Sequence, residues 1–374
     1  MEPVTLKFGE SSGPNSAAGQ ALTAYAERVA ERTDGKVKIE FFFANSLLES
    51  NAIFPALGDG VADIATVAIS QSAEQLPVMN WISAGSSTLS PEFPLSQMQA
   101  LPAETQVFSD NADVTNELDD QNVKMLLAGL SGGFSPAVCS KPVRNLDDAK
   151  GVRIRVVGEL HAQEARALGM EPVQTSSSEI FEALQRGVID CATASDGGHN
   201  FIALGLLDVA EYYLPLKLSP TGGTSYQMNL DSWTGLPEEA QKILLEELGG
   251  YAADRLRGNL EGYGEMVDLI DERGIEWLDA SDLNRTLREA QEKNVEEIYA
   301  DPPNAVSDPD TLINEYEEAL ATWLETIQDF LTAEPLAADA DPETMKEAYR
   351  NADESIDFEG LSQELGSYFK DLAG

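Results

Sequence analysis

The chain is short of cysteine, histidine and basic residues, and each shortage removes a class of function. Two cysteines, Cys139 and Cys191, and two histidines, His161 and His199, stand among 374 residues. They form no C-x-x-C or H-x-x-x-H spacing, so a zinc centre is excluded and no metal or other cofactor is expected. Both cysteines lie inside apolar, strand-like runs (AVCS and VIDCATA), which reads as two buried free thiols; a disulfide is the alternative in an oxidising compartment. Lys and Arg total 24 against 65 Asp and Glu, a formal net charge of −41. Such a surface repels phosphate backbones and anionic lipid, which argues against nucleic acid as a partner. No stretch approaches the ~20 apolar residues of a membrane helix. Catalytic constellations are missing as well. There is no G-x-S-x-G elbow, neither histidine has a nucleophile beside it, and GESSGPNS lacks the glycines and lysine of a phosphate loop. The opening MEPVTLKFGE has no basic segment, apolar core or cleavage site, so the chain reads as cytoplasmic or as a mature exported form.

What is present is a two-domain length and an ordinary apolar content of 43%, enough for two cores. The acidic surplus is spread over helical stretches such as EEAQKILLEE rather than gathered in a tail. Distributed acidity of this size costs stability by self-repulsion unless salt screens it, which points to a saline habitat.

The chain also says one thing twice. Residues 54–66 read FPALGDGVADIAT and residues 181–193 read FEALQRGVIDCAT. Phe, Ala, Leu, Gly, Val, Asp, Ala and Thr recur at the same spacing. Each copy reads as a helix end, a glycine stop (Gly60, Gly187) and a short apolar strand. That is one step of an open α/β sheet, and its repetition predicts two lobes of like construction. Asp63 and Asp190 are expected to pin backbone where the strands start.

Around the repeats the first 70 residues alternate as β-α-β-α-β, with Ala21, Leu22, Tyr25, Val29 and Ala30 at helical spacing. VKMLLAGLS, SPAVCS, GVRIRVVG and EPVQT read as strands. Gly132 and Gly133 suit a hinge, and GGTS at 222–225 suits a return crossing. From Pro237 the chain is helical, with one long helix across both lobes and further helices near 282–300, 309–333 and 342–372. The expected lobes are 4–132 with 223–258 and 133–222 with 259–333, followed by a helical extension over 334–374. Trp81, Trp233, Trp277 and Trp323 read as core, His161 as helix surface and His199 as a polar residue near the cleft.

Ligands of open α/β sheets sit at the carboxyl ends of strands. Those ends carry Glu10 and Ser11, Glu49, Ser70, Glu159, Ser177 and Asp196. In GVRIRVVG, Val152, Ile154 and Val156 share one face and Arg153 and Arg155 the other. Arg155 stands at the strand's end before a helix start, a place suited to a bidentate carboxylate, with a surface or interlobe ion pair as the plainer alternative.

The stretches TLKFG, SLLESNAIFPALGDGVADIA, SKPVRNLDDAKGVRIRVVG, ALGMEPVQTSSSEIFEALQRGVID and NLDSWTGLPEEAQKILLE together resemble the solute-binding subunits of tripartite ATP-independent periplasmic (TRAP) transporters. The resemblance implies a two-lobed α/β clamshell in the periplasm, hinged by crossing strands and monomeric. It would close over a small solute and pass it to a membrane permease, without covalent chemistry. It places Arg155 as the carboxylate clamp. It also marks departures: Ser135 stands where sialic-acid-binding members have a second arginine, Ser177 near their aromatic shelf, and Ala194 near their cleft asparagine. Glu49 takes the acidic rim position. A lone arginine among carboxylates suits a monocarboxylate or a zwitterion, or a small amine held by the acids. The readings of another class are a two-lobed hydrolase and a sensory module binding the same solute.

Overall fold

A computed structural model describes residues 2–373 apart from 50–51, 131–132, 176–178, 195–196 and 221–222. The strands are β1 (Val4–Gly9), β2 (Val37–Phe42), β3 (Ile64–Ala68), β4 (Val123–Leu127), β5 (Ser135–Cys139), β6 (Arg153–Val156), β7 (Glu171–Gln174), β8 (Cys191–Thr193), β9 (Tyr212–Leu218), β10 (Thr224–Asn229) and β11 (Glu276–Trp277). They form two sheets, ordered β2-β1-β3-β10-β4 and β11-β9-β5-β8-β6-β7. The chain leaves the first sheet after β4, builds most of the second, and returns as β10. The return falls where GGTS predicts it, between Leu218 and Thr224. Of the two expected hinge glycines, Gly133 has φ +86° and Gly132 lies outside the described residues.

Both copies of the repeat fold alike. The helices Ile53–Gly58 and Ile180–Gln185 end on Gly60 and Gly187, with φ +73° and +66°. In the first, Val61 N–H reaches the Ala56 carbonyl and Gly60 N–H that of Leu57; in the second, Val188 reaches Ala183 and Gly187 reaches Leu184. This is the Schellman closure, in which a left-handed glycine satisfies the last helical carbonyls. The aspartates then pin the neighbouring strand as expected: Lys7 N–H donates to Asp63 at 2.8 Å and Arg153 N–H to Asp190 at 2.9 Å. The strands that follow pair in parallel in equivalent register, Phe8 with Ile64 and Ile154 with Cys191.

The first sheet is buried in one core, to which the helix Ala17–Arg32 adds Leu22, Tyr25 and Val29 and the helix Leu95–Asp110 adds Leu95, Leu101 and Phe108. The second sheet carries a core on each face. The long helix is Glu238–Arg273, 36 residues and about 54 Å at 1.5 Å per residue. Leu244, Leu248, Tyr251 and Leu260 lie in the first core and Tyr263, Met266, Val267 and Ile270 in the second lobe. Its glycines do not interrupt it. A Cβ at Gly249 would overlap Gly366, and the carbonyl of Gly262 lies where a Cβ at Gly198 would stand. The glycines are places where another helix comes close.

Four expectations are corrected. Cys139 and Cys191 are not free thiols: directly opposed in the β5–β8 ladder, with Cα atoms 4.0 Å apart, they form a disulfide. His161 is not a surface residue but 1% exposed, because its helix, Gly158–Ala167, turns His161 and Glu164 inward. The share of 259–333 given to the second lobe is too long, since the helix Pro309–Gln328 packs Leu312, Tyr316 and Trp323 into the first core. The last expected helix is two, Pro342–Arg350 and Phe358–Asp371, the second capped by Asp357. The four tryptophans are buried, as expected.

Candidate functional site

Where β1 ends, the chain turns through Glu10, Ser11 and Ser12 into the helix capped by Ser16. These residues line a cavity of about 230 Å³. Glu10 is only 2% exposed, and a carboxylate so deep needs donors. It receives the Thr66 hydroxyl at 2.5 Å, Ser12 N–H at 2.7 Å and the Ser11 hydroxyl at 3.3 Å. Thr66 is the last residue of the first repeat, so the repeat itself supplies a hand to the site. The return strand adds Thr224 and Tyr226, the long helix Arg255 and Asn259, and the helix Gly197–Ala203 His199 and Asn200. Arg255 and Asn259 are four apart and so share a helix face. Arg255 also donates Nη2 to the Leu130 carbonyl in the outbound crossing. Burial, then the nearby Glu10 charge, pushes the Tyr226 phenol well above its ordinary value.

Arg155 sits in the second sheet and is not among the residues lining that cavity. It is 7% exposed. Nη1 donates to the Thr193 carbonyl at 3.0 Å and Nε to the Thr175 carbonyl at 3.4 Å. Thr193 ends the second repeat, as Thr66 ends the first. Burial pulls the guanidinium below its ordinary value. Its neighbour Arg153, by contrast, is paired with Asp190 at 2.8 Å, which Lys141 also approaches at 3.2 Å. Burial works against ionisation of Asp190, but these donors outweigh it and bring the carboxyl down to about 2. The ion pair that was the plainer reading of Arg155 does not occur among the described residues.

Behind Arg155, His161 donates Nε2–H to the Ser219 carbonyl at 2.6 Å, and Glu164 accepts Ser219 N–H at 3.0 Å. Burial first, then the Arg155 charge against the help of Ser219, brings His161 down to about 4. Burial raises Glu164 to about 7. The pair fixes the start of the return crossing to the helix that follows the Arg155 strand.

Of the other expected site residues, Ser135 is buried on β5, while Glu49 and Ser70 are exposed beyond β2 and β3. Glu159 is turned to solvent and pairs with Arg166 at 2.8 Å. Ser177 and Asp196 lie outside the described residues. Sequence reasoning missed Tyr226, Arg255 and Asn259. The i, i+4 spacing of the last two was a signal, but in a long polar helix it does not tell a cleft face from a solvent face.

The model of the bacterial extracellular solute-binding proteins, family 7, matches residues 8–301. The chain belongs to this family. Its members are binding proteins, not enzymes. A solute-binding protein of Albidiferax ferrireducens is 28% identical over 187 residues, covering 50% of this chain and 52% of that one. A monocarboxylate 2-oxoacid-binding periplasmic protein of Nostoc sp. is 28% identical over 219 residues, 58% of each chain. A C4-dicarboxylate-binding protein of Bacillus subtilis is 25% identical over 255 residues, 66% of this chain and 68% of its own. The chain thus spans about half the length of the first two. Among solved structures, a marine metagenome TRAP solute-binding protein specific for pyroglutamate superposes with TM-score 0.65 at 18% identity, over 85% of this chain and 100% of its own. A TRAP protein from Desulfovibrio desulfuricans with bound sn-glycerol-3-phosphate gives 0.67 at 17%, over 84% and 97%. These likenesses place the fold: the two-lobed α/β architecture of TRAP receptors. Among the described residues no helix is long and apolar enough to cross a membrane.

Proposed function

We propose that the chain is an extracytoplasmic receptor of a TRAP-type transporter that captures a small organic acid by closing its lobes and delivers it to a membrane permease. The observation that carries the ligand class is Arg155. It is a guanidinium 7% exposed, held by two backbone carbonyls and, among the described residues, by no carboxylate, in a chain with 65 acidic residues. A buried charge without a counterion is expensive, and an anionic ligand relieves that cost. Monocarboxylate 2-oxoacids and pyroglutamate, the ligands named for a relative and a structural neighbour, have the size and charge that suit one arginine.

Glu10 favours a zwitterion within this class. Its buried carboxylate on the first lobe complements an ammonium as Arg155 complements a carboxylate, and a purely cationic amine would use Glu10 alone. In this reading the receptor works as a monomer in the periplasm of an organism from a salty habitat, where salt screens the charge of −41.

A thermal-shift panel of 2-oxoacids, pyroglutamate, amino acids, uronates and amino alcohols in high salt tests this. A ligand at a hundred times its dissociation constant adds about 2.7 kcal/mol to a folded state that alone binds it. Arg155→Ala is expected to weaken any carboxylate hit by at least about a hundredfold, the scale of losing one partner of a buried charge pair. Glu10→Gln is expected to weaken zwitterions and leave simple acids unchanged. Unaltered affinity in Arg155→Ala, measured by calorimetry, would remove the clamp and leave Arg155 as scaffold.

A further inference from the structure

The family match ends at residue 301, and the solved neighbours are covered almost completely by about 85% of this chain. The C-terminal segment therefore lies beyond the family match. It runs back along the long helix and is tied to both lobes. At its start, Leu336 exchanges backbone hydrogen bonds with Phe93, at 3.1 and 2.8 Å. The helix Pro342–Arg350 is then anchored to the second lobe. Met345 enters that lobe's core, and the Tyr349 ring lies 4.8 Å from Tyr263 and 5.7 Å from Trp277. Lys346 pairs with Asp271 at 2.8 Å and Arg350 with Asp268 at 2.9 Å. After a break at 351–357, the helix Phe358–Asp371 is anchored to the first lobe through Phe358, Leu361, Leu365 and Phe369. There Gly366 lies against Gly249, and Lys370 pairs with Glu246 at 3.1 Å.

Which side of the long helix this segment occupies follows from helical geometry. At 100° per residue, Arg255, Asn259 and Gly262 point one way, toward the cavity and His199. Glu246, Gly249, Gly264, Asp268 and Asp271 point the opposite way, toward the C-terminal segment. The segment is thus on the back of the hinge. Its break faces the stretch where the long helix passes from the first lobe to the second, marked by Arg257 over the Phe358 ring at 4.5 Å and by Gly264 against the Tyr349 and Arg350 carbonyls. When a clamshell opens at the front, its back must compress. A gap of about 40 Å³ lies beside the start of the segment, between Phe93, Lys217, Tyr263, Leu336 and Tyr349, whereas a wider one of about 510 Å³ runs along the first-lobe anchor, between Glu246, Arg257, Phe358 and Lys370.

We propose that residues 331–371 form a strap that, packed against the back of the hinge and anchored on both lobes, resists compression there, limits opening of the cleft and so favours the closed form. This rests on the reading of the chain as a closing two-lobed receptor. The strap acts only while both ends are anchored, so releasing either end has the effect of releasing both.

The test uses the full chain with spin labels at Asp59→Cys and Arg186→Cys, exposed and equivalent positions at the ends of the two repeat helices. Interlobe distances are read by pulsed electron resonance without ligand. Tyr349→Ala releases the second-lobe anchor. Gly366→Val releases the first-lobe anchor, because its side chain would meet the Glu246 carbonyl. Each is expected to shift the distribution toward longer distances, and the double variant to shift it no further. Should either prove unstable, Lys346→Ala with Arg350→Ala loosens the second-lobe anchor without emptying the core, and the same shift is expected. Distributions unchanged in protein shown to be folded by circular dichroism overturn the strap. So does a double variant whose shift is the sum of the singles, which would mark two separate packing defects. Adding pyroglutamate and D-glucuronate to the labelled chain without these substitutions reports on closure itself. If neither shortens the distance, the closure reading is weakened while the strap is still judged on the unliganded chain.

Discussion

In both lobes the repeat's aspartate receives a backbone N–H from the neighbouring strand, and two residues further along that strand the lobes part company. The first lobe has Gly9 there, followed by the buried acid Glu10; the second has Arg155. The closing threonine of each repeat serves the charge on its own side. Thr66 donates its hydroxyl to the Glu10 carboxylate, while Thr193 accepts the Arg155 guanidinium on its carbonyl. One scaffold, used twice, therefore presents a negative group from one lobe and a positive group from the other. The backbone device is what is shared, and the charges are what a ligand would read. A hydroxyl and a carbonyl at equivalent positions stabilise opposite charges, because one donates and the other accepts.

The largest expected break in this likeness is covalent. Cys191 occupies the place of Ile64 in the first lobe, and only the second lobe closes a 52-residue loop with a disulfide. Such a loop is worth about 4 kcal/mol in the chain-entropy account, within a usual range of about 2–5. Cys139→Ala with Cys191→Ala is expected to cost about that much. Hydrogen exchange should rise in β5, β8 and β9 while β1 and β3 keep their protection. Equal loss of protection in both sheets would mean that the lobes unfold as one unit and that the staple serves the whole molecule.

How much of this was legible in the sequence depended on whether the signal was local. The repeat, its glycine stops and the pinning aspartates are local, and Gly60, Gly187, Asp63 and Asp190 do what their spacing predicts. The disulfide is a matter of register between strands 52 residues apart, which no spacing announces. β9 is not among the strands read from the sequence; its YYLPLKL carries Pro215, a residue unusual in an inner strand. It is accommodated where the β5–β9 register shifts, opposite Pro136. His161 and Glu164 were unreadable as core, since their polar atoms are met inside the fold by Ser219 and, for Glu164, also by Gln291, partners that no pattern of apolar residues reveals. The cavity residues Arg255 and Asn259 lie on a helix whose exposed face carries the same residue types. Glu10 and Ser11 line a cavity at a strand end, where the rule for open sheets expects ligands, and that rule is local too.

The two aspartates offer a finer test. Asp190 sits between Arg153 and Lys141, whereas Asp63 receives Lys7 N–H and the Ser232 hydroxyl, with no ion pair among the described residues. The Asp190 carboxyl is held at about 2, below its ordinary 3.8. A depressed value contributes stability that is present above the unfolded value near 4 and is lost as pH falls through 2. The contribution is about 1–2 kcal/mol after allowance for solvent screening. Denaturant midpoints for Asp190→Asn are expected to fall less between pH 5 and pH 2 than those of the parent, and to respond less to salt. Asp63→Asn removes a hydrogen-bond acceptor rather than an ion-pair partner, so its effect on the midpoint should respond little to salt. An acid limb unchanged in Asp190→Asn would show that the ion pair is offset by its own desolvation.

The smallest expected effect is the most direct measure of equivalence. Gly60 and Gly187 occupy the same left-handed position, and a Cβ at Gly187 would meet nothing within 4 Å, while one at Gly60 would meet only the Asn229 side-chain amide at 3.9 Å. Alanine at either place therefore carries a backbone penalty and little else, roughly 1 kcal/mol. The two variants should lose equal stability by denaturant titration, and their combination should lose the sum, because the sites are on different lobes and share no partner. Unequal losses would mean that one stop bears load the other does not. The second lobe is the place to look, since its disulfide holds the strand just after the glycine and narrows the ways in which a strained turn there can relax.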